Sequence, residues 1–461
     1  MNKVLVDENV KPSVTILTLA WPVLLEQILT TLVYSVDAAM VGSLGAVATA
    51  SVSINSSPME LINGIILSFA MGFTALISRR VGSGEIEKAR ALLRQSIITV
   101  FIAGIPLALI SYLLAEDIPR WMGASEDVIE LATLYNQIIA VGVLAKLMTL
   151  FLSAIYRGYG NTKTPMIINT MVNFANVIGN YFLIYPTHDV TIFGNTFEVW
   201  GAGWGVRGAA ASTSGTIIIG AIVLLLHTFL TKGPMRISIR ESFRLKADDM
   251  LSVARIGTPA MFERITMGTA RIMVATTVAS LGTIAIASNS LAGQIESFCF
   301  MPGFAFSTAT TTLVGQALGA KRADLAENYV STGVKMATVV MLIGSTLMFI
   351  FSNNLIVLFT KDPQVIKTGA ELVKLLATIE VPFIISMIHS GALRGAGDTR
   401  SPLYITLLSM WGVRVLGSFI CVRLLGFGIH SVIICMNTDN VVRAILFYNK
   451  YRRGDWKYHN L

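Results

Sequence analysis

Residues 16–45, ILTLAWPVLLEQILTTLVYSVDAAMVGSLG, decide the fold. They read as one long apolar helix with Pro22 near its start, Glu26 and Thr30 within it, and Asp37 near its far end. The chain then writes the segment a second time. Adding 237 to each number carries Pro22 to Pro259, Glu26 to Glu263, Ser43-Leu44-Gly45 to Ser280-Leu281-Gly282 and Ala50-Ser51 to Ala287-Ser288. The acid Asp37 does not carry over, because its counterpart is Val274.

Composition points the same way. The chain has 461 residues, 54% hydrophobic and only 13% charged, which excludes an ordinary soluble protein. Apolar runs of about 18 or more residues recur along it, each enough to cross a ~30 Å hydrocarbon layer. A net charge of +8 would suggest nucleic acid in a soluble chain. Here the basic residues fall between the apolar runs, as positive-inside loops do, and no nucleic-acid partner is expected. The polar stretch from Met1 to Pro12 has no small-residue cleavage site behind it, so no removable signal is predicted. Cys299, Cys421 and Cys435 lie in apolar segments without metal-ligand spacing and read as packing residues.

Twelve spanning helices fit: 14–41, 48–77, 92–115, 127–155, 164–185, 206–230, 251–279, 285–314, 328–352, 365–392, 402–425 and 428–449. Arg79, Arg80, Lys88 and Arg90 follow helix 2, Arg157 and Lys163 follow helix 4, and Lys232, Arg236, Arg240, Arg244 and Lys246 follow helix 6. Lys321, Arg322, Arg394, Arg400 and the C-terminal Lys450, Arg452 and Arg453 continue the pattern. Basic loops on one side place that side, with both termini, in the cytoplasm of a cell-membrane protein.

The repeat runs without a gap to the loop after helix 4. There Arg157-Gly158-Tyr159-Gly160-Asn161-Thr162-Lys163-Thr164-Pro165 meets Arg394-Gly395-Ala396-Gly397-Asp398-Thr399-Arg400-Ser401-Pro402. The register slips once, by 14, between helices 5 and 6, where Val190, Ile192, Phe197 and Val199 alternate around Gly194-Asn195 like a β-hairpin. Six helices per copy make the repeats parallel. The expected fold is an all-α integral membrane protein of two six-helix lobes, residues 1–230 and 251–461, joined by a cytoplasmic linker at 231–250.

On these residues the chain resembles the multidrug and toxic compound extrusion (MATE) transporters. The carriers are Pro22 followed fifteen residues later by Asp37, the Arg157–Pro165 motif with its copy at Arg394–Pro402, and Val81-Gly82-Ser83-Gly84 echoed by Leu318-Gly319-Ala320. The resemblance covers essentially the whole chain. It implies a V-shaped pair of lobes exporting organic cations or amphipathic compounds in exchange for Na⁺ or H⁺, and a coupling role for the acid at Asp37.

The residues can be weighed independently. A carboxylate at bilayer depth costs about 2.5–3.5 kcal/mol on insertion scales, so Asp37 is expected to face a cavity and bind H⁺ or Na⁺. The plainer alternative is an acid near the outer mouth that meets water. Asn169, Asn173, Asn176 and Asn180 form one stripe of helix 5. Their amides suit a hard cation, or equally hold helices together. In the resembled family's prokaryotic DinF-type branch this stripe commonly ends in an Asp; here Asn180 stands there, with Asn176 and Thr213 as polar partners. Asp37, Asn176, Asn180 and Thr213 are therefore the cation-coupling candidates, with Asp37 and Asn180 as Na⁺ ligands if sodium is the ion. Glu26, Thr30, Asn173, Glu263, Gln294 and Met267 are cavity or substrate candidates. For Glu26 a structural bond is the alternative. For Glu263, acid of helix 7 as in NorM-type relatives, the alternative is an ion pair with Arg264, Arg271 or Arg414. Asp439 and Arg443, four apart, read as a pair. Pro22 removes a backbone hydrogen bond and is a hinge candidate, or fits the local geometry and nothing more.

The function expected is a monomeric secondary antiporter for multidrug efflux, not an enzyme, with no cofactor beyond H⁺ or Na⁺ and with membrane lipid as its other partner. No Gly-x-x-x-x-Gly-Lys loop is present for a nucleotide. The rivals are a lipid-linked oligosaccharide flippase of the same superfamily, which calls for a strongly cationic cavity and often fourteen helices, and a membrane-embedded enzyme, which calls for paired catalytic groups in spans.

Overall fold

The computed structural model describes residues 10–192, 195–231, 233–238 and 240–459. The N-terminal stretch through Asn9, Gly194 of the hairpin and Lys232 of the basic loop, on which expectations rest, lie outside the described residues.

Helices account for nearly all of the structure. The first six are α1 (Pro12–Gly42), α2 (Ser56–Gly82), α3 (Ile86–Leu113), α4 (Glu126–Tyr159), α5 (Lys163–Ile184) and α6 (Val206–Leu230). The second six are α7 (Ala247–Ala279), α8 (Thr283–Gly319), α9 (Ala323–Ile350), α10 (Pro363–Ala377 with Glu380–Gly395), α11 (Arg400–Ser409, running on to Leu424) and α12 (Ile429–Arg452). Among the described residues eight of these are long and apolar enough to cross a membrane, or nine with the bent pair of α10 as one span. The others, α7, α8 and α12, are as long but less uniformly apolar. Between α5 and α6 strands Pro186–Ile192 (β1) and Asn195–Ala202 (β2) form the expected antiparallel hairpin, Ile192 opposite Asn195.

Two spans depart from the sequence expectation of unbroken helices. The second is split, with a short helix Ala46–Ser53 ahead of α2. The break precedes Pro58, which has no N–H to donate, and Asn55 holds it by accepting from Asn136 at 2.9 Å. The tenth bends by 51° between its two pieces. Pro382 lies two residues into the second piece and removes the hydrogen bond that would carry the helix across Thr378 and Ile379. In α11 the backbone loosens into π-helix at Met410–Val415 and Ile420–Leu424.

The repeat is visible as repeated geometry. Gly45 and Gly282 turn the chain at φ +107° and +94°, and Gly160 and Gly397 do so at +98° and +89°, a backbone region that favours glycine. Asn161 Oδ1 accepts from the Thr164 N–H at 3.1 Å, and Asp398 Oδ1 accepts from the Ser401 N–H at 3.0 Å.

The halves interlock at the end that carries the basic loops. Ile16, Leu19, Ala20 and Val23 of α1 are buried in a core built from α8, α9, α10 and α12 of the second half. Reciprocally, Val253 and Ile256 of α7 enter the core of α2, α3, α4 and α6 in the first half. Lipid offers no hydrophobic drive for such contact, so close backbone approach matters. A Cβ on Gly82 would strike the Gln316 carbonyl, and one on Gly319 would strike that of Arg79. Thr312 Oγ1 donates to the Arg157 carbonyl (3.1 Å) and Gln316 Nε2 to that of Gly158 (3.0 Å). Arg80 pairs with Asp249 at 2.5 Å, and Glu241 of the linker pairs with Arg90 and Arg94. Further along, Leu32, Tyr34 and Val36 of α1 and Ile272 and Met273 of α7 are exposed.

Candidate functional site

Helices α1 and α5 run in the same direction and are bridged by side chains at a constant separation of 143 residues. Asn169 Nδ2 donates to Glu26 Oε1 at 2.7 Å, Asn173 Nδ2 to Thr30 Oγ1 at 3.1 Å, and Asn180 Nδ2 to Asp37 Oδ1 at 2.6 Å. Asn173 and Asn180, four and eleven residues after Asn169, match Thr30 and Asp37, four and eleven after Glu26, rung for rung. Asn176 lies between rungs. Its amide is satisfied at both ends when the nitrogen donates to Asp37 (3.0 and 3.1 Å) and the oxygen accepts from Thr213 Oγ1 (3.2 Å) and the Thr213 N–H (3.3 Å). Ser212 Oγ donates to the Asn176 carbonyl at 3.0 Å.

Asp37, Asn176, Asn180 and Thr213 therefore converge. The two asparagines are buried, at 6% and 1% exposure, while Asp37 in front of them is half-buried. Three amide donations stabilise the carboxylate as an anion. Asn180 Oδ1 is buried with no hydrogen-bond partner, an acceptor beside that anion. A carboxylate, an amide oxygen and a hydroxyl form an all-oxygen donor set suited to a hard monovalent cation, and the carboxylate alone suits a proton. Among the described residues no cluster of three His, Cys, Asp or Glu side chains fit to hold a metal ion occurs. Close to this group an apolar cavity of about 840 Å³ opens, lined by Val36, Met40, Ile178, Tyr181 and Tyr185 with His188 of the hairpin.

The other candidates separate from it. Glu26, 8% exposed, is held by Arg157 at 2.8 and 3.0 Å as well as by Asn169. Glu263 is paired with Arg394 at 2.7 Å and accepts from Thr406 at 3.2 Å. The expected partners Arg264, Arg271 and Arg414 are not the ones found: Arg414 joins Arg443 on Asp439 instead, at 2.7 and 2.6 Å. Met267 packs beside Met410 and Val415, and Gln294 is exposed. Pro22 is buried within α1, between the segment packed into the second half and the ladder on α5.

The structure adds Arg157, Arg394 and Glu380 to the residues of interest. Glu380 sits at the bend of α10, 1% exposed, and among the described residues neither carboxylate oxygen has a hydrogen-bond partner. The signal for the arginines lies in the repeat, since the offset that maps Glu26 onto Glu263 also maps Arg157 onto Arg394 and Asn169 onto Thr406. The offset that maps Asp37 onto Val274 maps Asn176 onto Val413 and Asn180 onto Gly417, so the second half retains the buried ion pair and loses the whole of the Asp37 site.

A family profile, MatE, matches residues 22–182 and again 259–420, beginning at Pro22 and at its repeat mate Pro259. YisQ, an uncharacterized transporter of Bacillus subtilis (strain 168), is 27% identical over 96% of this chain and 94% of its own. A probable multidrug resistance protein NorM of Thermotoga maritima is 27% identical over 96% and 92%. A multidrug resistance MATE family transporter of the MOP superfamily, solved in an outward-facing conformation, superposes with a TM-score of 0.88 at 21% identity over 98% of each chain. The same two-lobed fold with two matched copies of one domain settles the family: the chain belongs to MatE and is a multi-pass membrane transporter of the multidrug and toxic compound extrusion type.

Proposed function

We propose that the chain is a secondary active antiporter that exports cationic or amphipathic organic compounds in exchange for H⁺ or Na⁺ by alternating access. The observation that carries this reading is the Asp37 site, complete in one half and replaced by apolar residues in the other. The names of the NorM relatives, multidrug resistance proteins, support the substrate class. In this reading the protein works as a monomer, and the basic end, with both termini, lies in the cytoplasm of the cell membrane. The interlocked halves then correspond to a transporter closed inside and open outside.

The geometry offers a route from ion to movement. An ion arriving at Asp37 competes with the amides of Asn176 and Asn180 for the carboxylate. A proton removes an acceptor; Na⁺ draws the oxygen of Asn180 toward itself. Either changes the rungs that zip α1 to α5. Below them Glu26 stays anchored to Arg157, and Pro22 lacks the N–H that would close its helical bond. A bend of α1 at that point moves the segment Ile16–Val23, which is packed in the other half, and so loosens the closure. The Arg157 carbonyl, bonded to Thr312, ties the same anchor to the gate.

The test is ethidium efflux from proteoliposomes under imposed proton or sodium gradients, wild type against Asp37→Asn. Loss of gradient-driven export in a variant that still folds is expected. Undiminished gradient-driven export in it refutes the assignment.

A further inference from the structure

A second cavity, of about 320 Å³, lies at the basic end, lined by Ser252, Arg255, Ile256, residues 397–400 and His459. That volume lies within the range of about 300–1,000 Å³ usual for small-molecule sites. Its charge is net positive, two guanidinium groups against the one carboxylate of Asp398. Neither Arg255 nor Arg400 has an ion-pair or hydrogen-bond partner among the described residues, and Asp249, Asp324 and Glu327 at this end are claimed by Arg80, Arg322 and Lys457. Asp398 also lines it, but both its oxygens are turned onto Ser401, accepting from N–H at 3.0 Å and Oγ at 2.6 Å. Thr399 is 1% exposed, and its Oγ1 is buried with no partner. A buried hydroxyl left unsatisfied in the wall of a cavity that two guanidinium-bearing residues also line is costly unless something in that space accepts from it.

We propose that this cavity binds a phosphate group, with Arg255 and Arg400 clamping its oxygens and Thr399 Oγ1 donating to one of them. Guanidinium forks match phosphate geometry, and a tetrahedral phosphate anion answers both the surplus charge and the orphaned hydroxyl. The repeat supplies a contrast. Arg255 stands where the first half has Thr18, and Arg400 where it has Lys163, whose ammonium already sits 5.9 Å from the Trp21 ring centroid. The second half alone is built for the anion, just as the first alone carries Asp37. The cavity wall includes His459, whose carbonyl accepts from Arg79 of the first half at 2.6 Å. An occupied site therefore fastens the tail across the closed halves. At headgroup level on a cytoplasmic face, as the proposed orientation has it, the phosphate belongs to an acidic phospholipid or to a soluble phosphate; the binding chemistry is shared.

The test uses full-length purified protein and does not depend on transport. Thermal unfolding is followed in detergent with inorganic phosphate titrated in, and in nanodiscs of phosphatidylcholine with and without phosphatidylglycerol. Stabilisation by phosphatidylglycerol alone identifies a lipid headgroup; stabilisation by inorganic phosphate as well identifies a site open to soluble phosphate. Arg255→Gln/Arg400→Gln is expected to weaken the response about fivefold for each arginine lost. Arg255→Lys/Arg400→Lys, which keeps the charges and loses the forks, should keep only part of it, and Lys88→Gln, at the same end but outside the cavity, should keep all of it. No stabilisation by either probe, or equal stabilisation of wild type and the Gln double variant, overturns the proposal. Because unfolding is read without a gradient, a failed antiport assignment leaves this result standing, and the reverse holds too.

Discussion

Arg394 holds Glu263 at 2.7 Å across 131 residues, the same separation at which Arg157 holds Glu26. Both pairs bind a proline-bearing helix to the last turn of the fourth helix of its half. A pair kept in both halves while the ion site is kept in one belongs to the scaffold.

Glu263→Gln should therefore cost stability and leave coupling intact. It strands the Arg394 guanidinium beside a neutral amide, and removing one partner of a buried pair costs about 3 kcal/mol or more. A lowered unfolding temperature in detergent, with export still dependent on the gradient, is the expected outcome. Loss of gradient dependence at unchanged stability would move Glu263 into the coupling machinery.

Val274 marks where the second half lost its acid. Placing a carboxylate there does not recreate the first site, because Val413 and Gly417 stand where Asn176 and Asn180 would donate. Val274→Asp should destabilise by about 2.5–3.5 kcal/mol, the cost of an uncompensated acid at bilayer depth. It should create no second ion dependence. A fully stable variant with altered ion stoichiometry would show that the scaffold, and not the amides, makes the site.

How far the sequence carries these conclusions differs residue by residue. The asparagine stripe of α5 is legible because helical periodicity alone puts its members on one face, and the same periodicity puts Glu26, Thr30 and Asp37 on one face of α1; that the two faces meet is seen only in the structure. Arg157 is not legible that way, since nothing local relates a residue at the end of one helix to another 131 positions earlier; only the joint duplication of both hints at it. The break at Asn55 is signalled by the run Ser53-Ile54-Asn55-Ser56-Ser57-Pro58, whereas the bend before Glu380 has little but Pro382 to mark it. What breaks the helix is a proline and what stabilises the break is a tertiary contact. Glu380 falls in the middle of the expected span 365–392, and only packing shows it enclosed without a basic partner.

The closure of the basic end depends on glycines. Gly82→Ala puts a methyl against the Gln316 carbonyl, and backbone cannot step aside as a side chain can. Overpacking of this kind costs about 1–3 kcal/mol, and here it falls on the closed arrangement alone. That favours separation of the halves by about fivefold or more in the conformational equilibrium. Spin labels at Lys88→Cys and Asp324→Cys, in a chain whose three native cysteines are replaced, should report a longer distance in electron double resonance. An unchanged distance distribution would mean that these helices slide to accommodate the methyl.

Whether the α5 stripe is an ion site or an adhesive is decided by comparing two of its rungs. Asn173 bonds a neutral hydroxyl, and such interhelical bonds average about 0.6 kcal/mol, so Asn173→Leu should change any property less than about threefold. Asn180 bonds a carboxylate at 2.6 Å, and bonds to charged groups contribute about 1.5–3 kcal/mol. Asp37 is half-buried and recovers part of that from water, which favours the low end of the range. Asn180→Leu removes a donor that competes with the proton for that carboxylate, and should thus lower the proton concentration for half-maximal exchange about tenfold, with substrate binding measured without a gradient unchanged. Equal effects of the two variants on ion dependence would reduce the stripe to helix–helix contact, because an adhesive does not distinguish the rung that faces the ion from the rung that faces threonine.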